Sequence, residues 1–121
     1  ALARCVPNDA AVARTLADYT TRALYPVAHE GGEVWRVRSF VPHQTIVEDP
    51  ATGSAAAGFA GWLAARAPHG DNTLRYRLNQ GVEMGRPSEL ALDIDRAGGR
   101  ISAVRVGGAA VMVTEGSLQA G

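Results

Sequence analysis

Glu48-Asp49-Pro50-Ala51-Thr52-Gly53-Ser54-Ala55 runs directly into Ala56-Ala57-Gly58-Phe59-Ala60-Gly61-Trp62-Leu63-Ala64-Ala65. Two carboxylates, a proline turn and a small-residue elbow precede an apolar helix. No polar face breaks that helix between Ala55 and Ala65, so the pattern predicts a helix buried all round. The other elements of so short a chain must then wrap around it. Its amino end becomes the place where the packing axis meets an acidic loop.

A helix start of this kind carries chemistry. The first amides lack intrahelical partners, and the macrodipole places partial positive charge there. Thr52 stands at the N-cap position. Gly53 and Ser54 have little side chain to screen their N–H groups, so an anion can approach them closely. Asp49 precedes a proline, which biases it toward extended backbone beside the helix mouth. A carboxylate there suits a base or an orienting acceptor better than a resting acid. The plainer alternative is a turn at Asp49-Pro50 with Thr52 as a simple cap, and residue types alone favour it.

Working outward, 121 residues predict one domain, residues 1–121, with a true core. Twelve basic residues balance twelve acidic ones, which argues against nucleic acid or an anionic membrane as partner. Cys5 is the only cysteine, so neither a disulfide framework nor a cysteine-rich metal site is expected. No metal ligand set stands at coordinating spacing; His43 is a lone loop histidine. The apolar run is too short to span a bilayer and no secretory signal is visible, so the expected location is cytoplasmic. The chain opens on Ala1-Leu2 rather than methionine, as a truncated or processed terminus would.

Upstream of the elbow, Asn8 or Asp9 caps a helix. Val12, Leu16, Tyr19 and Ala23 mark its inner face over about 15 residues, until Pro26. Glu33 to Phe40 alternates as a strand, with Trp35, Val37 and Ser39 on one side. Arg36 and Arg38 lie on the other and are expected in solvent. Downstream, Thr73–Gln80, Glu89–Asp95, Arg100–Val106 and Ala109–Thr114 read as strands, with a hairpin at Arg96–Gly99. Gly81 to Ser88 reads as a compact connector. Met84, Trp35 and Trp62 read as core. The fold class is α+β, a mostly antiparallel curled sheet around a central helix.

The acidic elbow with its helix closely resembles the signature of the phenazine-biosynthesis PhzF-like isomerase family. Gln80-Gly81-Val82-Glu83-Met84-Gly85-Arg86-Pro87-Ser88 resembles that family's second signature. Arg38-Ser39-Phe40-Val41-Pro42 and Val106-Gly107-Gly108-Ala109-Ala110-Val111 to Glu115-Gly116 resemble its flanking strands. The resemblance covers nearly the whole chain but only the family's C-terminal half. It implies a fold similar to diaminopimelate epimerase, two halves each wrapping a helix, with the active site between them. It implies a cofactor-independent and metal-free proton transfer next to a carboxylate or carbonyl. The best-known family member isomerises dihydro-hydroxyanthranilate on the way to phenazines.

By the same resemblance, Asp49 is the cleft aspartate, and Gly53, Ser54 and Thr52 hold a small carboxylate-bearing substrate. From the residues themselves, Gln80 and Arg86 are possible cleft residues, Arg86 being able to pair a carboxylate; the plainer alternative, which residue types favour, is a tight turn set by Gly81, Gly85 and Pro87 with Arg86 bonded to nearby carbonyls. The principal glutamate and a cleft histidine belong to the other half. The isolated chain is therefore expected to be inactive, and to expose an apolar face to a second copy or to the missing N-terminal domain. A non-catalytic carboxylate-binding or assembly module, dimeric in form, is the alternative.

Overall fold

The structure is a computed structural model; it describes residues 1–20, 23–41 and 47–119. The readings at Pro42 and His43 fall outside these. A 3-10 turn at Leu2–Arg4 leads to helix α1, Asp9–Thr15. Strands β1 (Val27–Gly31), β2 (Val34–Val37), β3 (Ser39–Phe40) and β4 (Glu48–Asp49) follow. Helix α2 spans Gly53–Ala64, and strands β5 (Thr73–Gln80), β6 (Ser88–Ala97) and β7 (Arg100–Gly108) complete the order. The main sheet runs β1-β2-β5-β6-β7, while β3 and β4 form a separate ribbon. All pairs are antiparallel except β2 with β5. That parallel pair requires a long crossover, and α2 provides it.

Alternation in β5 and β6 builds the core. Leu78, Leu90, Leu92 and Ile94 point to one face, with Leu78 opposite Leu90 across the ladder. They meet Ala56, Phe59, Ala60 and Leu63 of α2. Trp35 packs edge-on against Phe59 at 5.3 Å between ring centroids, and Tyr25 does so at 6.3 Å. The sheet therefore curls over one side of α2, and the expected fold class is what the chain adopts.

Several expectations fail for identifiable reasons. Helix α2 is buried on one side only: Ser54, Gly58, Gly61, Trp62 and Ala65 are exposed. An apolar sequence signals that a helix is coverable, and five strands cover half of it. Trp62 is accordingly 42% exposed and carries the Arg66 guanidinium over its ring at 3.9 Å. Helix α1 stops at Thr15, well short of Pro26, because Val12 is its one buried residue and Tyr19 lies in solvent. Helical pattern without a surface to pack on does not hold a helix. The tail Ala109–Thr114, expected as a strand, has no ladder partner among the described residues.

The strand expected over Glu33–Phe40 breaks at Arg38, which is buried rather than solvated. Its guanidinium pairs with both carboxylate oxygens of Glu48 at 2.8 Å. It also donates to Leu2 O at 3.1 Å and Cys5 O at 2.9 Å, and lies 4.5 Å above the Phe40 ring. Turning Arg38 inward ends β2 and hands the chain to the β3–β4 ribbon. One side chain thus ties the amino terminus, the ribbon and the acidic motif together. Hydrogen bonding to Glu48 holds the Arg38 guanidinium above its ordinary pKa.

Two outcomes are expected. Glu48→Ala leaves a buried guanidinium unpaired and should cost about 3 kcal/mol in urea unfolding. The second concerns the β6–β7 hairpin. Arg105, and then Thr73, hydrogen-bond Asp95 and hold its carboxyl down at about 2. A depressed native pKa means this contribution is complete above pH 4 and is lost as pH falls toward 2. Asp95→Asn should flatten that part of the acid unfolding curve followed by circular dichroism.

Candidate active-site wall at the amino end of helix α2

The β3–β4 pairing sets Asp49 opposite Ser39 at the end of the ribbon. Pro50 then turns the chain, and Thr52 occupies the N-cap of α2. The Thr52 side chain does not cap the helix. Its hydroxyl donates to Asp49 Oδ2 at 2.6 Å. The Thr52 backbone N–H, just ahead of the helix, donates to Gln80 Oε1 at 3.2 Å.

Gln80 is completely buried. Its Nε2 donates to Asp49 O at 2.7 Å and to Thr52 Oγ1 at 2.9 Å. Its Oε1 also accepts from the Tyr25 hydroxyl at 3.2 Å. Burial pushes the Tyr25 phenol far above its ordinary pKa, so it stays a neutral donor. The amide can face only one way: reversing it would set nitrogen against the Thr52 N–H and oxygen against the Asp49 carbonyl. Direction then follows along the chain of bonds. Thr52 Oγ1 accepts from Gln80, so its single proton goes to Asp49. The Asp49 carboxylate is held as an acceptor.

The second sequence signature is the loop that seats this network. Gly81 has φ +74°, and a Cβ there would collide with Arg86 O and stand 2.9 Å from Pro50 O. Arg86 N–H closes the loop on Gly81 O at 2.9 Å. The connector is therefore pressed directly against the Asp49-Pro50 turn. Within it, the Glu83 carboxylate has one oxygen 3.6 Å from the Arg36 guanidinium and the other buried without a partner among the described residues.

The structure brings together four of the six residues singled out from sequence: Asp49, Thr52 and Gln80 by hydrogen bonds, and Gly53 by adjacency at the helix start. Ser54 is next along and exposed. Arg86 stands apart: its backbone closes the loop, while its side chain lies in solvent and makes no hydrogen bond among the described residues. Gln80 does not line an open surface. Sequence reasoning missed Tyr25 and the buried role of Gln80. The signal for Gln80 was present, since Leu74, Tyr76 and Leu78 alternate and Gln80 is the next inward position. Tyr25 had none, being 55 residues away in sequence.

Among the described residues no protein acceptor takes the amides of Gly53, Ser54 or Ala55. Of the three, Gly53 borders a groove of ≈ 830 Å³ together with Ala51, Pro87, Ser88, Val106 and Gly107. A second, larger groove lies at the other end of α2, walled by Trp35, Trp62, Arg66 and Tyr76. Gly53 borders the first of these and not the second. No group of three or more His, Cys, Asp or Glu side chains converges among the described residues, and no helix there is long and apolar enough to cross a membrane.

Comparison with known proteins places the chain among relatives. The family model described as phenazine biosynthesis-like protein, PhzC-PhzF, matches residues 1–116. An uncharacterized isomerase of Mesorhizobium japonicum is 44% identical over 92 residues, 76% of this chain and 30% of its own. The trans-2,3-dihydro-3-hydroxyanthranilate isomerase of Pseudomonas aeruginosa is 41% identical over 105 residues, 85% of this chain and 36% of its own. An uncharacterized isomerase of Deinococcus radiodurans is 34% identical over 113 residues, 92% of this chain and 36% of its own. The chain thus spans about a third of the length of the curated relatives it matches. On a match of this extent, the chain belongs to the phenazine biosynthesis-like PhzC-PhzF family.

Proposed function

We propose that this chain supplies one wall of the active site of a cofactor-independent isomerase or epimerase that moves a proton on a small carboxylate-bearing substrate. The observation that carries this reading is the set of free amides at Gly53, Ser54 and Ala55 beside an Asp49 carboxylate fixed as an acceptor. The amides and the Ser54 hydroxyl receive the substrate carboxylate, where the helix dipole favours negative charge. Asp49 takes or orients the proton on the adjacent carbon. Such a transfer needs a second group on the same carbon. That group, a glutamate, lies in the part of the family polypeptide that this chain does not span.

A second reading treats the chain as a non-catalytic carboxylate-binding or assembly module. It is favoured by the same free amides taken without a second proton-transferring acid.

Nitrogen-15 spectra distinguish these readings from an inert fold. Titration with anthranilate should shift the Gly53, Ser54 and Ala55 amides, and Gly53→Val should abolish the effect. Unmoved amides at millimolar ligand would sink both readings. If the chain alone exchanged a carbon-bound proton of trans-2,3-dihydro-3-hydroxyanthranilate with deuterated water at an enzymatic rate, the one-wall reading would fail. In the full-length Pseudomonas aeruginosa relative, asparagine at the position aligned with Asp49 should slow isomerisation by about 10²–10⁴-fold.

The network beneath the wall makes its own prediction. Gln80→Leu strands Thr52 N–H, Asp49 O and the Tyr25 hydroxyl, each costing about 1–3 kcal/mol when buried without a partner. Urea unfolding should report a loss of several kcal/mol. Gly81→Ala should move the Asp49 and Thr52 amide resonances while leaving those of β6 and β7 in place.

A further inference from the structure

Glu83 lies within the loop at residues 81–88, and its side chain is 12% exposed. One carboxylate oxygen stands 3.6 Å from the Arg36 guanidinium. The other is buried without a hydrogen-bond partner among the described residues. A buried acceptor left unpaired costs about 1–3 kcal/mol. Such a group lowers stability, so its presence calls for a role other than holding the fold together.

Its neighbours are charges of alternating sign. Arg36 is already paired with Glu30, through Nε at 3.1 Å and Nη2 at 3.0 Å, and Glu30 accepts from Asn79 Nδ2 at 3.0 Å. Arg38, two residues along, is paired with Glu48. The charge of Glu83 adds to the larger influence of Glu48 in holding the Arg38 guanidinium above its ordinary pKa. Neither arginine depends on Glu83 for a partner. The loop does depend on it, and the loop meets the candidate site twice. Gly81, at its start, is pressed against Pro50. Pro87 and Ser88, at its end, border the groove that Gly53 also borders. Bonds from Arg86 N–H to Gly81 O at 2.9 Å and from Gly85 N–H to Val82 O at 3.2 Å close the loop into one unit, so a fastening at Glu83 fixes both ends.

We propose that Glu83 is a positioning residue: its ion pair with Arg36 holds the loop against β2, and thereby sets both the Asp49-Pro50 turn and the side of the groove formed by Pro87 and Ser88. The unpaired oxygen is the cost of that placement. The inference rests on the reading of the α2 amino end as a carboxylate site. It adds a residue that touches no substrate and acts through the loop.

Glu83→Met in this chain separates placement from stability. Methionine is of similar length and strands no cation, because Arg36 keeps Glu30 and Arg38 keeps Glu48. Urea unfolding should show stability equal to or above that of the unsubstituted chain. Anthranilate, followed by the Gly53 and Ser54 amide shifts, should nevertheless bind about tenfold more weakly. Without any ligand, the Arg86 amide should exchange with solvent at least ~10-fold faster, while those of Leu78 and Leu92 keep their rates. Glu83→Gln, which keeps the shape and removes the charge, should give the same readings and replaces the methionine variant if that one does not fold. Unchanged exchange at Arg86 overturns the proposal, and so does unchanged affinity. A loss of stability that matches the loss of affinity also overturns it, since Glu83 would then serve the fold alone. No anthranilate response from the unsubstituted chain sinks the carboxylate reading instead, and the Arg86 exchange still decides whether Glu83 holds the loop.

Discussion

A single buried amide holds the candidate site in place. Gln80 closes the inward row of β5, and its two donors and one acceptor oxygen meet four groups drawn from three other places in the chain. Because it is fully buried, every one of those bonds is made in a low-dielectric interior, where a missing partner would be costly. The result is a rigid link between the sheet, the ribbon end at Asp49 and the first turn of α2. The Thr52 hydroxyl, which makes no cap bond, accepts from Gln80 and donates to Asp49.

Around that link the chain arranges two further fastenings. Gly81 lets the connector after β5 press against Pro50, a contact no larger residue permits. Arg38, held by Glu48 and by two carbonyls of the amino-terminal turn, fixes the other side of the ribbon. Asp49 therefore sits between two anchored neighbours on β4 and α2. A carboxylate on a strand end pinned at both sides has little freedom to rotate away, which is what positioning a proton acceptor demands. The candidate site lies where Gln80, Gly81 and Arg38 constrain the chain, while the opposite face of α2 is left open among the described residues.

That open face and the uncovered tail belong together physically. A sheet of five strands covers one side of a helix, and the small residues Gly58 and Gly61 line the other without a layer above them. The aromatic cluster of Trp35, Phe59 and Trp62 reaches from the closed side toward the open one.

Much was legible from residues alone. The strands β5, β6 and β7 alternate cleanly, the glycine pair turns the last hairpin, and the acidic elbow opens α2 where its small residues place it. These are local patterns, each fixed by side-chain period or turn chemistry. What the sequence left open depended on partners far along the chain. Arg38 alternates with core residues and reads as solvated, until Glu48 and two distant carbonyls give a guanidinium somewhere to go. Tyr25 reads as nothing in particular, until folding brings it to Gln80. The reach of α1 and the exposure of Ala109–Thr114 were decided by whether a packing surface exists, and periodicity states only that a segment could use one. The sequence by itself determined the local elements of β5, β6, β7 and α2 and the residue types at the head of α2; the tertiary structure alone decided which polar groups are buried and paired, because that depends on contacts between residues tens of positions apart.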